Sequence, residues 1–451
     1  MQSSVQIPHL HPAPAGVPRD RRRLPAARRL LREGLAAGAL VMAFTLPFLA
    51  SPHPGAEANL RCLNPVNLGG RLHVDLSCDS GMFLLLAEEP GRVLREDFRI
   101  WQSRPLFGGL GWVLSQPFRA VGMEAVGRRL PASAWAPGRG GAPEGRMLPY
   151  YAGFIVLNAL LLAAALMLFR RLIGARSYRD PAIVLPAAVL LANEVTRAYF
   201  WTPHLQMFNI FVPVLSLWLF GWLQPRLGTL GWPRAAGIGV ALGVGALAYG
   251  AFAVPAAGAA LLLLARGGTP ARRAARAAAL LAAFALPIAA WTAFVVARTG
   301  SFYSHEIVRY RQFVWLADAA ATGPAAFLAT LAANLGQYAM VLGRVAAFPA
   351  LVVTVLALAL HLPGGARRPE GHPRRAAAVL VYLLVGIPFF ALMGFYATRL
   401  AWTVVPALLV VIALETEALR QALGPRRSLV TAAASVLALC HTAFWVMSPY
   451  P

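Results

Sequence analysis

Apolar stretches of about 17–22 residues recur along almost the whole of this chain, separated by arginine-rich or proline-rich segments. A helix of that length crosses the ~30 Å hydrocarbon layer of a bilayer. Inside that layer, only a structure that satisfies its own backbone hydrogen bonds persists. Of the 451 residues, 58% are hydrophobic and 13% charged, which excludes an ordinary soluble domain. The fold class that follows is all-α: a polytopic transmembrane helical bundle of about eleven spans, with a large non-cytoplasmic first loop containing interfacial helices.

A net charge of +23 would point to nucleic acid in a soluble protein. Here the positions of the charges point to topology. The chain has no lysine, so its 41 basic residues are arginines. They gather at Arg21-Arg22-Arg23, Arg28-Arg29, Arg170-Arg171, Arg272-Arg273, Arg367-Arg368, Arg374-Arg375 and Arg426-Arg427, each beside a predicted span. Cationic loop residues favour the cytoplasmic side and contact anionic lipid headgroups, so membrane lipids are partners and nucleic acid is not.

With those clusters inside, the chain traces one path. Residues 1–33 form a disordered, basic cytoplasmic N-terminus, and 34–451 form one integral membrane unit. Arginines at 19–32 before the apolar run Gly34–Ala50 imitate a signal peptide, but Pro47 and Ser51-Pro52 leave no cleavage site, so the run reads as an uncleaved first helix. Outer loop 1 covers 51–148. Spans follow at about 149–169, 181–198 and 206–223. Residues 235–265 are flanked by arginine on both sides, which predicts two short helices turning near Tyr249-Gly250, with glycine and alanine at their contact. A span at 277–297 leads to outer loop 2, 298–344, and the last spans lie near 345–362, 376–396, 402–419 and 428–447. The expected location is the inner (cytoplasmic) membrane, with both polar loops on the periplasmic or extracellular face. Cys62 and Cys78 share the first of those loops and are able to form a disulfide in an oxidising compartment. Cys440, in the last span, reads as a core residue.

Loop 1 carries Asp79-Ser80-Gly81-Met82-Phe83. Asp79 is a candidate general base; the alternative is a helix cap ahead of the apolar run that follows. Asp75 lies four residues earlier and on a helix would share its face. Arg104 follows the aromatic run Phe98–Trp101 and is placed to hold a phosphate or to anchor the interface, with Pro105 barring a helix from running through it. Between Asn193 and His204 lie Glu194 and Arg197, three apart, either a self-satisfied ion pair or charges kept at depth for work. His204 fits a proton carrier or a phosphate contact. In loop 2, His305 and Arg309 sit in a Tyr/Arg/Trp-rich run that suits an interfacial helix, sugar stacking or phosphate binding. Arg399, in Tyr396-Ala397-Thr398-Arg399, closes the set at the outer end of a span. No His/Cys spacing for a metal and no phosphate-binding GxxxxGK[ST] loop occurs, so no cofactor is expected, although these carboxylates leave a divalent cation open.

In its order of features the chain resembles the GT-C superfamily of polytopic membrane glycosyltransferases, which use sugars carried on polyprenyl phosphate. Bacterial members often show an Asp-Gly-x-Tyr-Tyr-like segment after the first span and then Arg-x-Leu-Tyr-Pro. The counterparts here are Asp79-Ser80-Gly81-Met82-Phe83 and Arg104-Pro105-Leu106-Phe107, with Met82 and Phe83 in place of the tyrosines. The resemblance implies that Asp79 deprotonates an acceptor hydroxyl on a glycan, lipid or protein, with outer-face arginines stabilising the departing lipid phosphate. A lipid-linked glycan transporter, an assembly subunit, or a glycan polymerase or ligase remain the alternatives. The gathering of polar residues at one rim, without an internal repeat, favours the transferase over a transporter.

Overall fold

The computed structural model describes residues 26–52, 63–70, 72–129, 145–361 and 371–448. Among these, the elements in order are α1 (Ala26–Thr45), the antiparallel hairpin β1 (Leu63–Gly69) and β2 (Leu72–Ser77), α2 (Cys78–Glu88), α3 (Pro105–Ala120), α4 (Met123–Arg129), α5 (Leu148–Ile173), α6 (Pro181–Leu191), α7 (Glu194–Tyr199), α8 (Phe208–Leu223), α9 (Trp232–Ala246), α10 (Ala253–Ala265) and α11 (Pro270–Thr299). There follow α12 (His305–Val308), α13 (Val314–Thr322), α14 (Pro324–His361), α15 (His372–Met393), α16 (Thr398–Ala401), α17 (Val405–Ala422) and α18 (Arg427–Met447).

The structure is an all-α polytopic bundle. Eight helical segments among the described residues are long and apolar enough to cross a membrane. The other three sequence-read spans are short helices: α6, α9 and α10, of 11, 15 and 13 residues. The expected single helix at 181–198 breaks because Asn193 starts a new one. Its side chain accepts from the Val195 and Thr196 amides, and Thr196 Oγ1 accepts from the Asn193 amide. The turn expected near Tyr249-Gly250 separates α9 from α10.

Loop 2 is shorter than 298–344, because α14 begins at Pro324 and runs unbroken for 38 residues. At 1.5 Å per residue that is about 57 Å, well beyond the hydrocarbon thickness. Asn334, Gln337 and Arg344 interrupt the apolar pattern, which is why the sequence reads as a loop there. The alanine- and leucine-rich background nevertheless keeps the helix going. Loop 1 holds a hairpin as well as helices, and it puts Asp75 on β2 and Asp79 on α2, so the two share no helical face. The N-terminal tail and Cys62, with its proposed pairing to Cys78, lie outside the described residues. Cys440 is exposed on α18 rather than buried, because α18 is peripheral and presents Val436, Leu439 and Phe444 outward.

Helices α8 and α17 form the centre, with 78% and 72% of their apolar stretches buried, whereas α11 and α14 bury 11% and 6% of theirs. Two of the arginine clusters meet at Glu33 of α1, which receives Arg170 at 2.9 Å, Arg171 at 3.0 Å and Arg29 at 3.5 Å. Backbones approach closely where glycine allows it. On α9, Gly239 and Gly243 are four apart and sit against the Leu280 and Phe284 carbonyls of α11; a Cβ at either would come within 2.2 Å of oxygen. Gly237, on the same helix, has open space around it.

Gly239→Ala and Gly243→Ala are therefore expected to destabilise the detergent-purified protein by about 1–3 kcal/mol each. Gly237→Ala is expected to leave it unchanged. Monodisperse protein remaining after a temperature series measures this; three equal losses would remove the α9–α11 contact as the cause, since alanine is the better helix former at all three positions.

Candidate functional site

The site begins with Phe83. It is fully buried on α2, and its ring packs on Trp101 at 4.3 Å, Phe107 at 4.8 Å, His204 at 5.8 Å and Phe154 of α5 at 6.3 Å between centroids. Asp79 lies one turn earlier on the same face of α2, so fixing Phe83 fixes Asp79 above this aromatic cluster.

The second support is Asn158, a fully buried amide in the apolar helix α5. Its Nδ2 donates to the carbonyls of Tyr199, Phe200 and Thr202 at 3.3, 2.8 and 3.0 Å. That clamp shapes the turn from α7 to α8, which carries His204. Trp201 adds a bond from its Nε1 to the Thr45 carbonyl of α1, 2.9 Å, and Tyr151 OH donates to the Trp201 carbonyl, 2.8 Å. His204 is buried, its Nε2 lies 3.5 Å from Asp79 Oδ2, and its ring packs on Tyr199 at 4.8 Å between centroids.

The third support is the segment Gln102-Ser103-Arg104, which ties loop 1 to loop 2. The Gln102 carbonyl accepts from Trp291 Nε1 of α11 at 2.7 Å, and Gln102 Oε1 accepts from the Tyr303 amide at 2.9 Å. Arg104 Nη2 lies 2.6 Å from Glu306 Oε1, while Ser103 and Ser304 hydroxyls donate to Oε2 at 2.8 and 3.2 Å. Pro105 stands at the first position of α3, where a missing N–H costs no bond.

These supports surround a cavity of about 410 Å³. Asp79, Arg104, His204, His305, Glu306 and Arg399 supply its charged and titratable lining. Tyr249 and Gln206 add neutral polar groups, and Phe389, Phe390, Met393 and Leu400 add an apolar side. The Asp79 side chain is 52% exposed, open to the cavity rather than sealed in protein.

The two arginines differ. Arg104 is neutralised by Glu306 and lies 5.8 Å above the Tyr249 ring. Arg399 Nη1 donates to the neutral Tyr199 hydroxyl at 3.3 Å and, among the described residues, meets no carboxylate at ion-pair distance. Burial pushes the Asp79 carboxyl up, but the neighbouring His204 ring and the charges of Arg399 and Arg104 outweigh it and hold the group below its ordinary range. Burial also pushes Glu306 up and is outweighed, mainly by Arg104. For His204, burial and the two guanidiniums lower the imidazole against the opposing pull of Asp79.

Of the eight sequence-derived candidates, the cavity brings together Asp79, Arg104, His204, His305 and Arg399. Arg197 is buried away from it, with Nη2 donating to the Pro52 carbonyl at 3.3 Å. Glu194 lies within the field of Arg344 of α14 and outside the cavity lining, and Arg309 is exposed outside it too. Sequence reasoning passed over Glu306, Tyr249, Gln102 and Asn158. A search for cations to hold phosphate selects His305 and Arg309 and skips the carboxylate between them. Asn158 did leave a signal, as a lone amide in a helix of otherwise apolar character. Among the described residues no group of three or more His, Cys, Asp or Glu side chains is arranged to hold a metal ion.

No known family model matches the chain, and no curated protein matches it. Among solved structures, it is similar to that of ArnT from Cupriavidus metallidurans bound to undecaprenyl phosphate, at 13% identity and a TM-score of 0.46 over 93% of this chain and 71% of that one.

Replacing Asn158 by leucine removes the buried donor to the Phe200 and Thr202 carbonyls, so Asn158→Leu is expected to cost about 1–3 kcal/mol. It is also expected to release the 199–204 turn. Hydrogen exchange in detergent should show early deuteration at 199–204 in the variant alone; exchange unchanged there would remove Asn158 as the support of the site.

Proposed function

We propose that the protein is an inverting membrane glycosyltransferase of the GT-C kind, taking a sugar from a polyprenyl-phosphate-linked donor and passing it to a glycan, lipid or protein acceptor. One observation carries the reading: an accessible carboxylate, Asp79, and a guanidinium, Arg399, that meets no carboxylate at ion-pair distance among the described residues line the same part-apolar cavity. The apolar side suits the first isoprenoid units of a carrier, and the unneutralised cation suits its phosphate.

In this reaction Asp79 accepts the proton of an acceptor hydroxyl while that oxygen attacks the anomeric carbon. The bond from that carbon to the phosphate oxygen breaks, and the electron pair leaves with the phosphate. A single displacement inverts the anomeric centre. Arg399 stabilises the negative charge gathering on the leaving phosphate, where a pre-positioned cation is worth more than one in water. Arg104, paired with Glu306, is held in place beside the site and adds little net charge to it. The reading places the protein in the inner membrane with a cytoplasmic N-terminus. The arginine-cluster end then faces the cytoplasm and the cavity faces the periplasm or the exterior.

The test is consumption of a panel of polyprenyl-phosphate sugars by purified protein in lipid vesicles. Wild type is expected to consume one of them, and Asp79→Asn to lose roughly 10²- to 10⁴-fold in kcat. Equal turnover by both would remove Asp79 as the base. Binding of the carriers without consumption would favour a transporter or an assembly subunit. Arg399→Ala is expected to lose about 1.5–3 kcal/mol of transition-state stabilisation, read as kcat/KM, as for a charge-assisted hydrogen bond. An Arg104→Ala defect of equal size with Arg399→Ala unaffected would reassign the phosphate site.

A further inference from the structure

His204 offers the cavity less than its position promises to a phosphate. It is buried, its ring is packed between the edge of Phe83 and the face of Tyr199, and Asn158 holds the turn on which it stands. One ring nitrogen, Nε2, lies 3.5 Å from Asp79 Oδ2. The other, Nδ1, is buried and finds no hydrogen-bond partner among the described residues. A protonated imidazole would bury an N–H with nothing to receive it, and would face Arg399 and Arg104 as like charges. A neutral ring with its proton on Nε2 leaves only an unpaired acceptor at Nδ1, avoids the like charges and presents a donor to the carboxylate.

We propose that His204 is a positioning residue for Asp79: a neutral imidazole whose Nε2–H bonds Oδ2 and orients the carboxylate, leaving Oδ1 to receive the acceptor proton. Oδ1 is the oxygen without a hydrogen-bond partner among the described residues, on a side chain half open to the cavity. The 3.5 Å separation is long for a finished hydrogen bond, as is common for catalytic pairs without substrate, and it tightens as the site fills.

The arrangement answers a problem that burial creates. A carboxylate in a partly apolar cavity tends to keep its proton, and a protonated Asp79 is no base. The groups facing it are His204, Arg399 and Arg104. The guanidiniums favour the anion but are positioned for phosphate or for Glu306. His204 stabilises the anion and fixes its direction while adding no charge that would compete for the donor phosphate. As a positioning residue it acts on the chemical step, whereas a phosphate contact would act on donor binding.

Two measurements test this, and the first needs no turnover. Protein labelled with 15N-histidine in lipid nanodiscs, with the His204 signal assigned by its loss in His204→Gln, should show the Nε2–H tautomer at pH 7. The Nε2 shift should move in Asp79→Asn. An imidazolium at pH 7, an Nδ1–H tautomer, or indifference to Asp79→Asn would overturn the proposal whether or not the protein is a transferase. The second rests on the proposed transfer reaction. His204→Phe, which keeps a ring and removes the donor, is expected to lower kcat about tenfold or more with little change in donor KM. Its acid limb of kcat/KM should move to higher pH, because Asp79 loses the bond that favours its anion, and His204→Gln, which keeps an N–H, should recover part of both. A defect confined to KM, or an unmoved acid limb in a monodisperse His204→Phe, would make His204 a phosphate contact or a packing residue. The expected tautomer without consumption of any donor would leave the pair standing and sink the transferase reading.

Discussion

The carbonyls of Phe200 and Thr202 turn into buried protein, and Asn158 Nδ2 meets both at 2.8 and 3.0 Å, with the Tyr199 carbonyl at 3.3 Å beside them. In an apolar surrounding an unmet carbonyl costs of the order of kilocalories, so this turn exists only where such a donor is supplied. Everything on the site's inner wall hangs from it. Tyr199 holds Arg399, His204 faces Asp79, and Trp201 reaches α1. The same helix α5 offers Phe154 to the aromatic cluster around Phe83. One apolar helix thus sets both the carboxylate and the histidine opposite it, from two positions one turn apart.

The outer wall is built on different physics. Gln102, Ser103 and Arg104 cross to Tyr303, Ser304 and Glu306 through charged and polar bonds, so two loops far apart in sequence become one surface. The ion pair at its centre is mostly buried, where the cost of desolvating both charges offsets much of their attraction. Its effect is on charge distribution. Glu306 offsets the charge of Arg104, whereas Arg399 meets no carboxylate at ion-pair distance among the described residues.

The number and order of the apolar helices were legible in the sequence because hydrocarbon thickness leaves few choices, and the arginine clusters mark one end. Asp79, Arg104 and Arg399 were legible as polar residues beside apolar spans. The breaks were harder to read. Asn193 ends a span at Leu191 through a capping pattern that hydropathy does not register, and Asn334, Gln337 and Arg344 suggested a loop where α14 continues. Arg197 and Arg309 share the composition of the site without its location, because the α6–α7 break rotates one away and the short α12 leaves the other on its exposed side. Glu306 and Tyr249 come into play only through contacts between segments distant in sequence, which periodicity does not encode.

The broken helices and the cavity have one explanation. A membrane interior tolerates irregular backbone where it is buried in protein or lines a polar space, and both interruptions of the bundle do this. The break after α6 delivers Tyr199 and His204. The break between α9 and α10 delivers Tyr249, whose hydroxyl donates to Asn209 Oδ1 while Asn209 Nδ2 donates to Gln206 Oε1. The Leu247 carbonyl freed by the same break accepts from the Leu106 amide at the start of α3, 3.2 Å, which fastens loop 1 to the membrane helices beside Arg104. Full-length helices at 181–198 and 235–265 would satisfy their own carbonyls, and neither Asn158 nor Leu106 would have anything to hold. The shortness of these helices is therefore what gives an apolar bundle a polar interior, and it fixes the cavity at the level where α6 and α9 stop.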